Sequence, residues 1–171
     1  MKIKKLKRRA KRGDIESILL LGNAYRFGGG TEVNARKAFE LYKRAADMGS
    51  TIGYLFLGAM YENGEGTGIN YEKAFLCYFT SSFKGQADAL WRLGTMYLDG
   101  HGVEMNETVA YKIFTRAAKE GDSYGFLYLG HMYEAGVGTD GDILKAIKWY
   151  TLAARQHNKK AESRLHELLN E

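Results

Sequence analysis

With 171 residues, 45% of them hydrophobic and 13% aromatic, the chain has enough apolar material for one sizeable folded domain, and its overall composition is not that of a disordered protein. It has no proline, 21 glycines and one cysteine, Cys77; helices therefore run unbroken, glycine supplies the turns, and an intrachain disulfide is excluded. The net charge of +5 is local: of 25 lysines and arginines, eight (Lys2, Lys4, Lys5, Lys7, Arg8, Arg9, Lys11 and Arg12) fall in residues 1–12 without an acid, leaving 17 against 20 acids and a net of −3 over residues 13–171.

The first element, residues 1–13, sets Ile3, Leu6 and Ala10 at helical spacing among those basic groups. It reads as a solvated half-repeat cap, as a nucleic-acid or anionic-membrane contact, or as an unstructured address; it lacks an aromatic for base stacking. The run Ile18–Leu21 is short and is followed by Gly22-Asn23, so neither a signal peptide nor a membrane span is expected. With a single cysteine, a cytoplasmic location is expected.

From residue 14 the chain repeats every 36 residues, giving units 14–49, 50–85, 86–121 and 122–157 of one continuous domain. Leu21-Gly22-x-x-Tyr25 recurs at Leu57, Leu93 and Leu129. Each tyrosine is followed by a Gly-x-Gly: Gly28 and Gly30, Gly64 and Gly66, Gly100 and Gly102, Gly136 and Gly138. Ala38, Ala74, Ala110 and Ala146 come next, and an aromatic follows four residues later at Tyr42, Tyr78, Phe114 and Tyr150. Small pairs close the units at Ala45-Ala46, Ser81-Ser82, Ala117-Ala118 and Ala153-Ala154.

These residues predict two helices per unit, A then B. The first loop glycine ends helix A in the left-handed conformation. Asn34, Asn70, Asn106 and Asp142 cap the B helices, and Asp14, Ser50 and Asp122 cap A helices, with Gln86 a poor cap in the third unit. A mid-helix glycine costs roughly 0.5–1 kcal/mol against alanine, so Gly22, Gly58, Gly94 and Gly130 predict close packing of A against B. The small residues Ala38, Ala45, Ala46 and their counterparts are expected as the opposing surface. Residues 158–171 form a last capping helix: Ala161 and Leu165 align with Gly125 and Leu129, and Glu167 and Glu171 give it a polar outer face.

The candidate chemistry is thin. The glycine loops lack the strand and the lysine of a phosphate-binding loop. His101, His131, His157 and His166 form no metal-ligand spacing, and Cys77 takes a helix B position filled by Leu41, Ile113 and Trp149 elsewhere. No catalytic residue, metal or cofactor is expected. The Tyr25, Tyr61, Tyr97 and Tyr133 series reads as inter-helix packing. What varies is one stripe of the A helices: Glu16, Leu20, Asn23 and Phe27; Ile52, Phe56, Ala59 and Asn63; Asp88, Arg92, Thr95 and Asp99; Tyr124, Tyr128, His131 and Ala135. Its large apolar members suggest a binding face, the alternative being packing between neighbouring A helices, the role assigned to Leu19, Leu55, Trp91 and Leu127.

The L-G-x-x-Y and A-x-x-x-F signatures resemble the tetratricopeptide repeat superfamily. The 36-residue period, the G-x-G loop and the A-A-x-x-G ending look more like its Sel-one-like subclass, over residues 14–157 fully and the flanks more weakly. The resemblance implies an all-α right-handed α/α superhelical solenoid, with a half-repeat at each end, that binds proteins or peptides without catalysis, often as an adaptor in bacterial or membrane-associated signalling. It implies that the variable stripe is the concave surface. The expected protein-binding residues are Leu20, Asn23, Phe27, Ile52, Phe56, Asn63, Asp88, Arg92, Thr95, Asp99, Tyr124, Tyr128 and His131, with Phe56, Arg92 and Tyr128 at the centre. The secreted branch of the family carries cysteines where this chain has Ala46, Ser82, Ala118 and Ala154, and their partners where it has Ile18, Tyr54, Leu90 and Phe126; the chain departs from that branch.

Overall fold

A computed structural model describes residues 3–170, so Lys2 of the basic segment and Glu171 of the last helix lie outside the described residues. The described residues form ten α-helices and no strand: α1 (Ile3–Lys11), α2 (Ile15–Phe27), α3 (Ala35–Asp47), α4 (Thr51–Asn63), α5 (Tyr71–Phe83), α6 (Asp88–Asp99), α7 (Glu107–Lys119), α8 (Ser123–Ala135), α9 (Ile143–Arg155) and α10 (Lys159–Asn170). Even-numbered helices are the A helices and odd-numbered ones the B helices. The chain divides into two compact units, Met1–Gln86 and Ala87–Glu171. The first holds α1–α5 and the second α6–α10.

The helix ends follow the capping residues. Asn34, Asn70, Asn106 and Asp142 each accept a hydrogen bond from the backbone N–H three residues on, at 2.9, 2.8, 2.9 and 3.0 Å. Asp14 and Ser50 do the same for α2 and α4 at 3.1 and 3.0 Å, accepting from Ser17 and Gly53, while Asp122 caps α8 from the N–H two residues on, that of Tyr124, at 2.9 Å. The cap position of α6 is Ala87, one residue past Gln86, and makes no side-chain cap hydrogen bond. The first loop glycine of each unit sits at φ 81, 70, 69 and 65° and returns its N–H to the carbonyl four residues back. The B helices end in Gly13, Gly49, Gly85 and Gly121 at φ 83–90°, and the position after α9 is His157, which holds a positive φ of 59° without glycine's freedom.

Packing corrects one expectation. The mid-helix glycines do not face the alanine pairs. They face the fully buried aromatic of helix B. A Cβ built on Gly22 falls 2.6 Å from the Tyr42 ring, on Gly58 2.8 Å from Tyr78, and on Gly94 2.5 Å from Phe114; Gly130 is equally tight on Tyr150. The alanine pairs face glycines at a different register. A Cβ on Gly53 falls 2.7 Å from the Ala46 amide nitrogen, and one on Gly125 2.6 Å from that of Ala118. One set of glycines admits a ring within a repeat; the other lets the backbones of consecutive repeats meet.

The recurrent tyrosines pack between helices but are only half-buried. Lys37 lies 5.3 Å from the Tyr25 ring centre, Lys73 5.5 Å from that of Tyr61 and Lys145 5.2 Å from that of Tyr133. At the chain ends, Leu6 and Ala10 of α1 are buried against Ile18, Leu21 and Ala45, while Ala161 of α10 is buried with Ala153 and Tyr150.

Candidate functional site

The variable stripe of the A helices is built differently in the two units. In the first, Leu20, Phe27 and Ile52 are exposed, while Asn23 and Phe56 are half-buried. Asn23 is engaged: its Oδ1 accepts the buried Tyr42 hydroxyl at 2.6 Å. Phe56 lies against the same ring, centroid to centroid 5.0 Å. Beside them stands a pair the sequence did not flag. Arg26 at the end of α2 donates two hydrogen bonds, both 2.6 Å, to the carboxylate of Glu65 after α4. That bidentate contact holds the Glu65 carboxyl below its usual range. Asn63 donates to the same carboxylate at 3.2 Å, and Arg26 lies 5.1 Å from the centre of the exposed Phe27 ring.

In the second unit the stripe is an aromatic stack. Trp91 lies flat on Tyr124, with centroids 4.4 Å apart and planes 17° apart, and also faces Tyr128 at 6.1 Å. Tyr128 in turn stacks on buried Phe114 at 4.8 Å. The half-buried Arg92 places its guanidinium 4.4 Å from the Trp91 ring centre. Thr95 turns its hydroxyl back to the Arg92 carbonyl at 2.7 Å, and Asp88 and Asp99 are exposed. Of the four residues assigned to packing between A helices, Leu55 and Leu127 are buried and Leu19 is half-buried against the core, whereas Trp91 stays half-exposed within the stack.

His131 sits at the far end of this stack, 6.0 Å from Tyr128 and edge-on to Tyr150 at 5.4 Å. The Tyr150 hydroxyl lies 3.0 Å from His131 Nδ1 and donates to Glu134 at 2.5 Å. Arg164 of α10 closes on Glu134 and also donates to Glu167 at 2.6 Å. Burial, then the Glu134 carboxylate, pushes the Tyr150 phenol far above its ordinary pKa, and Arg164 holds Glu134 low. The equivalent phenols follow the same rule. Tyr42 bonds to Asn23, and Tyr78 donates to Glu62 at 2.6 Å. Phe114 has no hydroxyl, and Leu98 stands where the other repeats carry Arg26, Glu62 and Glu134. Part of the stripe's variation thus tracks the buried ring behind it.

Among the described residues, no group of three or more histidines, cysteines, aspartates or glutamates is placed to hold a metal. Cys77 is buried, and burial pushes its thiol up to about 11. No helix among the described residues is long and apolar enough to cross a membrane. A hollow of 360 Å³ is lined by Leu21, Tyr25, Arg36, Lys37, Glu40 and Leu41, none of them on the stripe.

The Sel1 repeat profile matches residues 15–50, 51–80, 87–122 and 127–158. Among solved structures, a protective antigen of uropathogenic Escherichia coli with an SLR fold is similar at 34% identity over 94% of this chain, with a TM-score of 0.86. A Sel1 repeat protein from Oxalobacter formigenes is similar at 26% identity over 95% of this chain, with a TM-score of 0.92. The chain spans 34% of the first protein's length and 65% of the second's. Helicobacter pylori cysteine rich protein B is similar at 26% identity, covering 73% of this chain and 95% of that one, with a TM-score of 0.57. No curated protein matches the sequence significantly. The fold class is the all-α repeat solenoid that the periodicity predicts.

Proposed function

Because the chain belongs to the Sel1 repeat family, whose members are generally protein-interaction scaffolds, we propose that it is a non-enzymatic scaffold whose A-helix stripe holds a protein or peptide. The observation that carries this reading is the stack of Arg92, Trp91, Tyr124 and Tyr128, which keeps large rings and a guanidinium partly open to solvent. Aromatics and arginine dominate interface energies, and truncating one commonly costs about 2 kcal/mol or more. Asp88 and Asp99 flank the stack for polar groups of a ligand. In the first unit, Leu20, Phe27, Ile52 and Phe56, with Asn63 beside the Arg26–Glu65 pair, offer a second contact area. Asn23 and His131, engaged by Tyr42 and Tyr150, are assigned to the edge of the contact.

Capture of partners by the intact protein, repeated with single alanine variants, tests the stripe. Phe56→Ala reports on the first unit; Arg92→Ala and Tyr128→Ala report on the second. Tyr124→Ala is the cleaner truncation, since Tyr128 also supports Phe114. Each variant is expected to keep its helical spectrum and to lose about thirtyfold in affinity, the equivalent of 2 kcal/mol. Full retention of binding by all four rejects the A-helix assignment.

A second reading rests on α1 and the residue after it, where Lys4, Lys5, Lys7, Arg8, Lys11 and Arg12 are exposed while Leu6 and Ala10 are buried. That side suits a nucleic acid or an anionic membrane, with binding that falls steeply as salt rises. Deleting residues 1–12 separates this reading from a plain cap. A cap is expected to lower the melting temperature by a few degrees, because the apolar side of α2 is uncovered. An unchanged melt together with loss of RNA or anionic-vesicle binding favours the basic-surface reading instead.

A further inference from the structure

The repeat register isolates one helix face that matches none of its equivalents. On α5, Leu76, Phe79 and Phe83 point outward, with relative exposures of 60%, 49% and 81%. Elsewhere the Leu76 position is Lys4, Glu40, Lys112 or Lys148, and the Phe83 position is Lys11, Asp47, Lys119 or Arg155. Every other B helix is charged here, and residues 74–83 hold no charge. The rings form a ladder along the helix: Phe75 and Phe79 stack at 6.2 Å, and Phe79 and Phe83 at 6.4 Å with planes 12° apart. The hydroxyls beside them turn inward. Thr80 donates to the Leu76 carbonyl at 2.7 Å and Ser82 to the Phe79 carbonyl at 2.9 Å. Between Leu76 and Phe83 the face offers a partner no charge, and these two hydroxyls are spent on its own backbone, with charge confined to its ends.

We infer that the outward face of α5 is a self-association surface, on which the α5 helices of two copies of this chain pair antiparallel about a two-fold axis. An uncharged face that spends its own hydroxyls matches an identical face, whereas a charged partner surface would be desolvated against it without compensation. The exposed apolar area of the three side chains is about 400 Å², at the level of the largest patch on a typical monomer. Two such faces together bury about 800 Å², below the roughly 1,200 Å² at which stable specific interfaces begin, so the pairing is a weak one whose direction is set by charge at its ends. The ends set the direction. Glu72 lies at one end and Lys84 at the other, about 18 Å apart along the helix at 1.5 Å per residue. Antiparallel pairing brings each Glu72 to the other copy's Lys84; parallel pairing sets like against like. Lys84 is exposed and lies over the Tyr54 ring, 5.9 Å from its centre.

Sedimentation of the full chain from about 1 to about 500 µM tests this. The expected result is a concentration-dependent monomer–dimer equilibrium that Phe83→Asp weakens at least tenfold without changing the helical spectrum, since that side chain is already in water. Glu72→Lys and Lys84→Glu are each expected to weaken the dimer, and the double reversal to restore it. A chain that stays monomeric throughout, or a dimer indifferent to Phe83→Asp, overturns the proposal. A dimer lost with Phe83→Asp but not recovered by the double reversal overturns the antiparallel pairing. Vesicles of neutral phosphatidylcholine binding the monomer through Phe83 overturn it in favour of a lipid surface.

Discussion

Replacing Gly94 with leucine is expected to cost more than about 3 kcal/mol and to lower the melting temperature by roughly 6–12 °C, or to prevent folding altogether. Even the first added carbon would lie 2.5–2.9 Å from three atoms of the Phe114 ring, which is fully buried and has nowhere to move. Circular dichroism melting reads the effect directly. The cause has its own check. Gly94→Ala combined with Phe114→Leu is expected to cost less than the sum of the two single changes, because the shorter side chain withdraws from the new methyl. Strict additivity would mean that the ring is not what the glycine accommodates.

Gly125→Val is expected to be at least as damaging and to resist that rescue. Its Cβ would meet backbone, 2.6 Å from the Ala118 nitrogen and 2.8 Å from the Ala117 carbonyl carbon, so α7 and α8 must separate for it to fit. The opposing side chains are already alanine, leaving little to trim. Gly121→Ala is the comparison: it carries the strain of a left-handed φ, about 1 kcal/mol, with open space around its Cβ. Hydrogen exchange should report the difference, with protection lost across α8 to α10 for Gly125→Val and kept for Gly121→Ala. Equal melting temperatures for the two variants would remove the backbone seam from the account.

The helix ends were legible in the sequence because capping is local: Asn34 needs only the N–H of Lys37, three residues on. What each glycine faces was not, because Gly53 and Gly22 look alike until the B helices are docked. Docking gives the alanine pair to the first and the ring to the second. Asn23 and His131 fall on the expected binding face because they vary between repeats, yet both touch a buried tyrosine, a link hinted at by Leu98 accompanying Phe114. Arg26 and Glu65 are 39 residues apart and recur in no other unit, so periodicity had nothing to align. The outward face of α5 is legible in the register at positions 76 and 83, where every other B helix carries a charge.

The Trp91 stack has a photophysical consequence. The chain has two tryptophans, and the other, Trp149, stacks on Phe126 in the B-helix layer, away from the stripe. Trp91 lies against two tyrosine rings of α8 and close to a guanidinium, an arrangement whose emission responds to any change in ring overlap or in the nearby charge. With Trp149 replaced by phenylalanine, the chain carries a single native fluorophore in the middle of its candidate contact surface, and occupancy of that surface becomes readable as a colour shift without any label.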